Sequence, residues 1–322
     1  MTAVGGLQNL GNTCAVNSLI QCIYGTPLLR NLLIKPEKET NGDTSITTQL
    51  HDICSKLSEG NSISPKAFVH RLFQLFHFIL TPGEQFDIGE LWLLLGDKVS
   101  EEFNSDLPAI IPETANVVDL QVLKLNNNKS SKWQTAIQGI NICITKCNTC
   151  NVDVINTDIF IILTLDLSTH TEILDMILSF FKLEELSEWT CDSCKNKGCK
   201  KQYQVYKLPD ILVILIKRFN NNFQKLENPV NILEELNITH NNIENKYKLK
   251  SIGNHFGGYQ GGHYTACSLH TTQTTHTTHT TQTNDNSHEQ WRHIDDMSIQ
   301  LINIDDIINN NRYAYILFYE RV

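Results

Sequence analysis

A thiol, an imidazole and a carboxylate can together run a nucleophilic hydrolysis, and this 322-residue chain carries all three in separate, well-marked settings. Cys14 lies in LQNLGNTCAVNSLIQ, residues 7–21. Gly11, Asn12 and Thr13 before it suit a tight turn and cap, and Leu19, Ile20 and Ile23 after it repeat at helical spacing. A thiol that opens a helix meets the partial positive charge of the N-terminus and unpaired N–H groups, which predicts a lowered pKa and a ready thiolate. A single intracellular cysteine is more commonly a small buried apolar residue, so the assignment needs a base. His263 in GGHYTA is the best candidate: Gly261 and Gly262 permit close backbone approach, and an extended run follows to hold the ring. WRHIDD, from Trp291, then offers Asp295 and Asp296 beyond a strand, where a carboxylate accepting from the imidazole would fix its tautomer and orientation.

A second chemistry is written in two CxxC pairs, Cys147-Asn148-Thr149-Cys150 and Cys191-Asp192-Ser193-Cys194. Four thiolates in two knuckles suit one closed, tetrahedral, structural Zn²⁺ site with no open position for catalysis; the bland alternative is a degenerate pair that no longer holds metal. The pairs stand further apart than in a compact zinc ribbon, so the tips of long strands must bring them together. Cys199 is a spare thiol. Residues 271–288 are rich in Thr and His and lack apolar periodicity, which predicts a disordered surface loop between two strands; His270, His276, His279 and His288 suggest metal only by composition.

Around these residues the chain reads as α+β, helices first and a mostly antiparallel sheet later. Ile46, Leu50, Ile53 and Leu57 share one helical face; Ser64-Pro65 supplies a cap and first-turn proline for a helix striped by Phe68, Leu72, Leu75 and Phe76; a third helix runs from about Glu84 to Phe103. From Val117 the runs are β-prone: 117–125, 137–145, 152–165 and 202–219, the last including the continuous apolar Ile211–Ile216. A short helix is expected over 172–181, and strands at 247–255, 262–269, 290–294 and 313–319.

Composition bounds the rest. Hydrophobic residues at 41% and charged residues at 19% fit a globular chain, and no apolar run approaches the roughly 20 residues of a membrane helix. With no secretory signal at the start and CxxC pairs in place of a disulfide framework, the expectation is an intracellular protein, cytoplasmic or nuclear. The net charge of −9 argues against a nucleic-acid footprint and is compatible with a basic protein partner.

The motifs together resemble the ubiquitin-specific proteases. GLQNLGNTCAVNSLIQ is similar to their cysteine box, GGHYTA and WRHIDD to their histidine box, AYILFYER to their closing strand, and EQFDIGELWLLLGD, LPDILVILIKRF and YKLKSIGNHFG to intervening family segments in the same order. The resemblance implies a papain-like cysteine protease fold across the whole chain, with a helical thumb (1–112), zinc-bearing β fingers (113–203) and a β palm (204–322). It implies a monomeric deubiquitinase in which Cys14 is the nucleophile and His263 the base and later acid. Asp295 would be the orienting carboxylate, with Asp296 second to it or supporting the oxyanion, and Asn9 a side-chain oxyanion donor. Catalysis would be metal-independent. Asp87 and Glu90 match positions that contact the arginine-bearing, Gly-Gly-ended tail of ubiquitin, Gln85 one turn earlier is a further substrate-binding candidate, and Phe219 and Tyr264 would wall the passage. A favourable acidic first turn is an equal reading of Asp87 and Glu90. Ala15 and Gly89 depart from the family's usual aromatic and histidine, and the Thr/His tract lengthens the path from His263 to Asp295. The rivals are a protease for another ubiquitin-like modifier and a ubiquitin-binding scaffold with little turnover.

Overall fold

A computed structural model describes residues 4–34, 45–106, 115–167, 171–240, 242–259, 261–273 and 287–322. Along the chain come α1 (Cys14–Gly25), α2 (Pro27–Ile34), α3 (Ile46–Ser58), α4 (Lys66–Leu75), α5 (Ile88–Phe103), β1 (Ser105–Asp106), α6 (Val117–Leu125), β2 (Lys129–Ser130), α7 (Lys132–Ile137), β3 (Gly139–Cys147), β4 (Asp153–Phe160) and β5 (Leu163–Asp166). There follow α8 (Ile173–Phe180), β6 (Glu184–Thr190), β7 (Lys197–Lys207), β8 (Ile211–Lys217), β9 (Glu235–His240), β10 (Ile243–Gly258), β11 (Gly261–Gln273), β12 (Ser287–Asp295), β13 (Ser298–Leu301), α9 (Asp305–Ile308) and β14 (Ala314–Arg321). The α+β class and the helices-first order are as expected. No helix among the described residues is long and apolar enough to cross a membrane.

The main sheet runs β13-β12-β11-β10-β14-β8-β5, with β9 added on β10; every pairing is antiparallel except β5 with β8. It carries a core on each face. In β8, Ile211 and Val213 enter the core beneath the N-terminal helices while Leu212, Ile214 and Ile216 enter the one behind the sheet. The continuous apolar run is thus a strand buried on both sides. Helix α1 lies against β10 and β11, and all its residues are buried. Its polar side chains are bonded internally: Ser18 Oγ donates to the Thr265 carbonyl (2.8 Å) and Gln21 Nε2 to that of Gly5 (3.0 Å). Gly25 allows this seat, since a Cβ there would lie 2.4 Å from Ser268 Cβ.

A second, four-stranded antiparallel sheet, β4-β3-β7-β6, projects the two CxxC pairs at one end. Three expectations are corrected. Residues 117–125 form helix α6, not a strand: Asn116 accepts from the Val118 and Asp119 N–H groups and Asp119 accepts from the Asn116 N–H, a capping box that overrides the β-branched start. Pro65 is the N-cap of α4, one place before the first turn. The Thr-rich tract is strand at both ends, with Thr271 opposite Glu289 and Gln273 opposite Ser287, while residues 274–286 lie outside the described residues. His270, far from being a surface ligand, is buried with Nε2 2.7 Å from Ser268 Oγ.

Candidate active site

Cys14 is placed by its turn. Gly11 (φ 96°) and Asn12 (φ 55°) turn the backbone through left-handed conformations, and α1 begins at Cys14. Thr13 is the N-cap by position, but its hydroxyl accepts from the Leu10 N–H (2.9 Å) instead of from the helix. The backbone N–H groups of Tyr264, Ala15 and Cys14 itself each favour the thiolate. The first belongs to the peptide that His263 makes with Tyr264, so β11 carries the histidine to within a peptide unit of the sulfur's surroundings. Sequence reasoning expected the helix start to lower the thiol pKa, and the structure reverses this. Burial pushes Cys14 up, the Tyr264 N–H opposes it, and the Asp296 carboxylate raises it further.

His263 Nε2 lies 2.6 Å from Asp295 Oδ1, both side chains being about half exposed. That leaves Nδ1 as the ring atom for the thiol. Asp295 ends β12, opposite Ser298 of β13, so the carboxylate stands on a hairpin shoulder. Asp296, in the left-handed region at φ 52°, turns the other way. Its Oδ2 accepts from Asn9 Nδ2 (2.9 Å), its Oδ1 from Asn17 Nδ2 (2.7 Å), and its carbonyl from the Leu7 N–H (2.9 Å). Asn9 is also held at its other end, where Oδ1 accepts from the Gly11 (3.0 Å) and Thr13 (3.3 Å) N–H groups. The hairpin tip beside Asp295 is therefore tied to the segment leading into Cys14 and to the first turn of α1. Asn17 was missed in the sequence; the available signal was a polar residue three places after Cys14 in a helix otherwise suited to burial.

His263, Asp295 and Asp296 bring their ligand atoms within 4.8 Å of one another. The 2.6 Å contact is a direct hydrogen bond, and Asp296 is already committed to two amides, so the trio reads as a base with its orienting acid.

The substrate-facing candidates divide. Glu90 and Gln85 are exposed, Phe219 is half-buried and Tyr264 is buried. Asp87 is the N-cap of α5, its Oδ1 accepting from the Gly89 (2.8 Å) and Glu90 (3.0 Å) N–H groups. Its Oδ2 accepts from Tyr315 (2.6 Å) and Tyr264 (3.4 Å), whose hydroxyls burial and this carboxylate keep protonated. Gln85 pairs with the backbone of Gly262. Gly89, where a Cβ would come 3.0 Å from Leu215 Cδ1, leaves that room to the leucine. Of the two glycines before His263 only Gly262 is sterically required: a Cβ there would lie 2.1 Å from His255 Nε2 and 2.6 Å from the Phe256 carbonyl, whereas Gly261 faces open space.

At the end of the second sheet Cys147, Cys150, Cys191 and Cys194 bring all four sulfurs within 4.8 Å. The closest pairs, Cys147 with Cys194 and Cys150 with Cys191, are 3.7 Å apart. That is far beyond a disulfide's S–S bond and close to the edge, about 3.8 Å, of a tetrahedron with Zn–S bonds of about 2.3 Å. The two knuckles have the same build. Asn151 (φ 56°) and Lys195 (φ 61°) follow them, each donating its N–H to the carbonyl of the first cysteine. N–H groups within the knuckle, those of Cys150 and Thr149 for Cys147 and of Cys194 and Ser193 for Cys191, lower both thiols toward the thiolate a metal needs. The residues fit a zinc ion. Cys199, opposite Cys147 in the β3–β7 register, stays outside the cluster.

Comparison with known proteins agrees with this geometry. A family model described as ubiquitin carboxyl-terminal hydrolase matches residues 5–319. The chain is 28% identical to ubiquitin carboxyl-terminal hydrolase Usp2 of Drosophila melanogaster over 98% of its own length and 34% of that protein's. It is 27% identical to ubiquitin carboxyl-terminal hydrolase 12 of Salmo salar, over 98% and 89%. It thus spans about a third of one relative and most of the other. Among solved structures, a SAGA DUB module bound to monoubiquitin covers the whole chain at a TM-score of 0.73 and 21% identity, with 70% of that chain matched. The corresponding module bound to ubiquitin aldehyde gives 0.71 and 20%, with the same coverage. At this identity the likeness speaks for the fold.

Proposed function

This chain belongs to the ubiquitin carboxyl-terminal hydrolase family, and we propose that it cleaves the peptide or isopeptide bond after the C-terminal glycine of ubiquitin through an acyl-enzyme on Cys14. The observation that carries the reading is the joining of the chain's two ends: Asp296 binds Asn9 and Asn17, on either side of Cys14, next to the 2.6 Å bond from His263 to Asp295.

His263 takes the Cys14 proton as sulfur attacks the carbonyl, then gives it to the leaving amine; Asp295 holds the ring with Nδ1 toward sulfur. Because the resting thiol is raised by burial, this base step generates the thiolate during attack. The Cys14 N–H and one Asn9 Nδ2 hydrogen meet the developing oxyanion; the other Nδ2 hydrogen is anchored on Asp296. Residues 1–112 serve as thumb, 113–203 as fingers and 204–322 as palm, with zinc in Cys147, Cys150, Cys191 and Cys194 locking the finger tips. Glu90, Phe219 and Tyr264 line the tail passage, and Asp87 shapes it from within. The protein works as a monomer in a reducing, intracellular compartment; the compartment is supported by ten cysteines with no disulfide among them.

The test is labelling by ubiquitin bearing a C-terminal thiol-reactive group, with Cys14→Ala as control and other modifiers alongside. Labelling of the wild type by ubiquitin alone is expected. Labelling only by another modifier would redirect the substrate assignment, and binding without labelling would make the protein a scaffold.

A further inference from the structure

We infer that Gln85 is a positioning residue for the base, acting through the backbone beside His263 and not by touching substrate. Its amide pairs with the backbone of one residue, and so with the two peptides that flank it: Nε2 donates to the Gly262 carbonyl (2.7 Å) and Oε1 accepts from the Gly262 N–H (2.6 Å). Two residues on, Asp87 accepts from the hydroxyl of Tyr264. The leader of α5 therefore grips β11 on both flanks of His263, Gly262 before it and Tyr264 after it. The grip has a fixed base, since Phe86 between the two is buried against Phe73 and Asp87 caps the helix.

The strand needs such a hold. It leaves a hairpin with Gly257 at φ 96°, while Gly258 and Gly261 have open space where a side chain would pack. Glycine backbone on that scale is conformationally permissive. A base must stand within about 0.5 Å of its working geometry. An amide matched donor-to-acceptor and acceptor-to-donor to the backbone of one residue fixes both position and tilt, which one hydrogen bond cannot do.

The inference rests on His263 being the base, and the experiment separates the two. Cys14 is alkylated with iodoacetamide near neutral pH, a probe too small to need the tail passage, and hydrolysis of a ubiquitin C-terminal amide is followed in parallel. His263→Ala must slow alkylation in an otherwise wild-type chain; if it does not, the assignment of the base fails. Given that, Gln85→Met, which keeps the length and loses both hydrogen bonds, is expected to lower kcat and alkylation together by about tenfold with KM within about twofold. Gln85→Glu keeps the acceptor for the Gly262 N–H and should fall between. Should Gln85→Met melt early, Gln85→Glu against the wild type carries the comparison. A rise in KM with alkylation unchanged would overturn the inference and make Gln85 a substrate contact.

Discussion

Changing one hydrogen to a methyl at Gly262 should disable the enzyme, while the same change one residue earlier should not. At Gly262 the added carbon would stand 2.1 Å from His255 Nε2, 2.9 Å from its Cε1 and 2.6 Å from the Phe256 carbonyl oxygen. The imidazole cannot swing away. His255 is 4% exposed, boxed by the rings of Tyr264 (4.6 Å), Phe219 (5.6 Å) and Tyr315 (5.7 Å). The carbonyl belongs to the cross-strand partner of His263 and moves only with the ladder. Relief to an ordinary contact therefore requires β11 to shift by about 1 Å at the residue preceding the base, a displacement on the scale that costs about 10²-fold in rate. Overpacking of this kind also destabilises by about 1–3 kcal/mol. Gly261 meets nothing within 4 Å, so Gly261→Ala is expected within about 0.5 kcal/mol and twofold of wild type. The assay is kcat/KM on a ubiquitin C-terminal amide with melting curves for both variants. Near-normal turnover by Gly262→Ala, or equal damage from Gly261→Ala, would refute the packing argument.

Asp295→Asn replaces a charge-assisted bond of about 1.5–3 kcal/mol, at the lower end because both partners are half exposed, so kcat/KM should fall about tenfold with the fold intact; an unchanged rate would remove Asp295 from the site. The purified protein should carry about one zinc per chain. Cys191→Ser should lose metal and stability together, and a stable, metal-free wild type measured by elemental analysis would end the zinc assignment. His270 is held down to about 3 by burial and the charges of Arg292 and Arg30, and His255 to about 4 by burial and the charges of Lys225 and Arg218. Below pH about 6.5 the unfolded chain binds protons that the folded one refuses, so stability falls as pH drops from there toward 4, by up to about 1.4 kcal/mol per pH unit for each histidine. Melting curves at pH 7 and 5 should show a smaller loss for His270→Gln than for wild type; equal losses would contradict it.

What the sequence made legible was whatever is governed by neighbours along the chain. The Cys14 turn, the α5 helix and the doubly buried Ile211–Ile216 strand follow from local pattern, and so do the paired knuckles. Residues 117–125 misled because Val117, Val118 and Val122 weigh toward strand, while the decision lies with the Asn116 cap and its bonds; α6 has no buried residue for a periodicity to reveal. The thiol pKa misled for the opposite reason: the helix start is visible in sequence, but the burial that outweighs it is tertiary. Asp296 was read as second to Asp295. Only folding shows that its two oxygens bind Asn9 and Asn17, residues 287 and 279 positions away.

The exposures across the site point to how it is kept quiet between turnovers. The sulfur is buried in the core beneath the helices, with Cys14 4% exposed, while the imidazole and its carboxylate stand half in water. Burial favours the neutral thiol, and Asp296, fixed nearby by two amides, adds a charge that disfavours a thiolate further. The same carboxylate anchors Asn9, whose remaining Nδ2 hydrogen, in the proposed mechanism, meets charge that exists only on the carbonyl under attack. One residue thus disfavours anion on sulfur at rest and indirectly favours anion on oxygen in the transition state, which is differential stabilisation of the kind that raises turnover. A tail that fills the passage excludes water from His263, strengthening its bond to Asp295 at the moment proton transfer is required. In the proposed mechanism, reactivity of the thiol is therefore coupled to occupancy of the cleft.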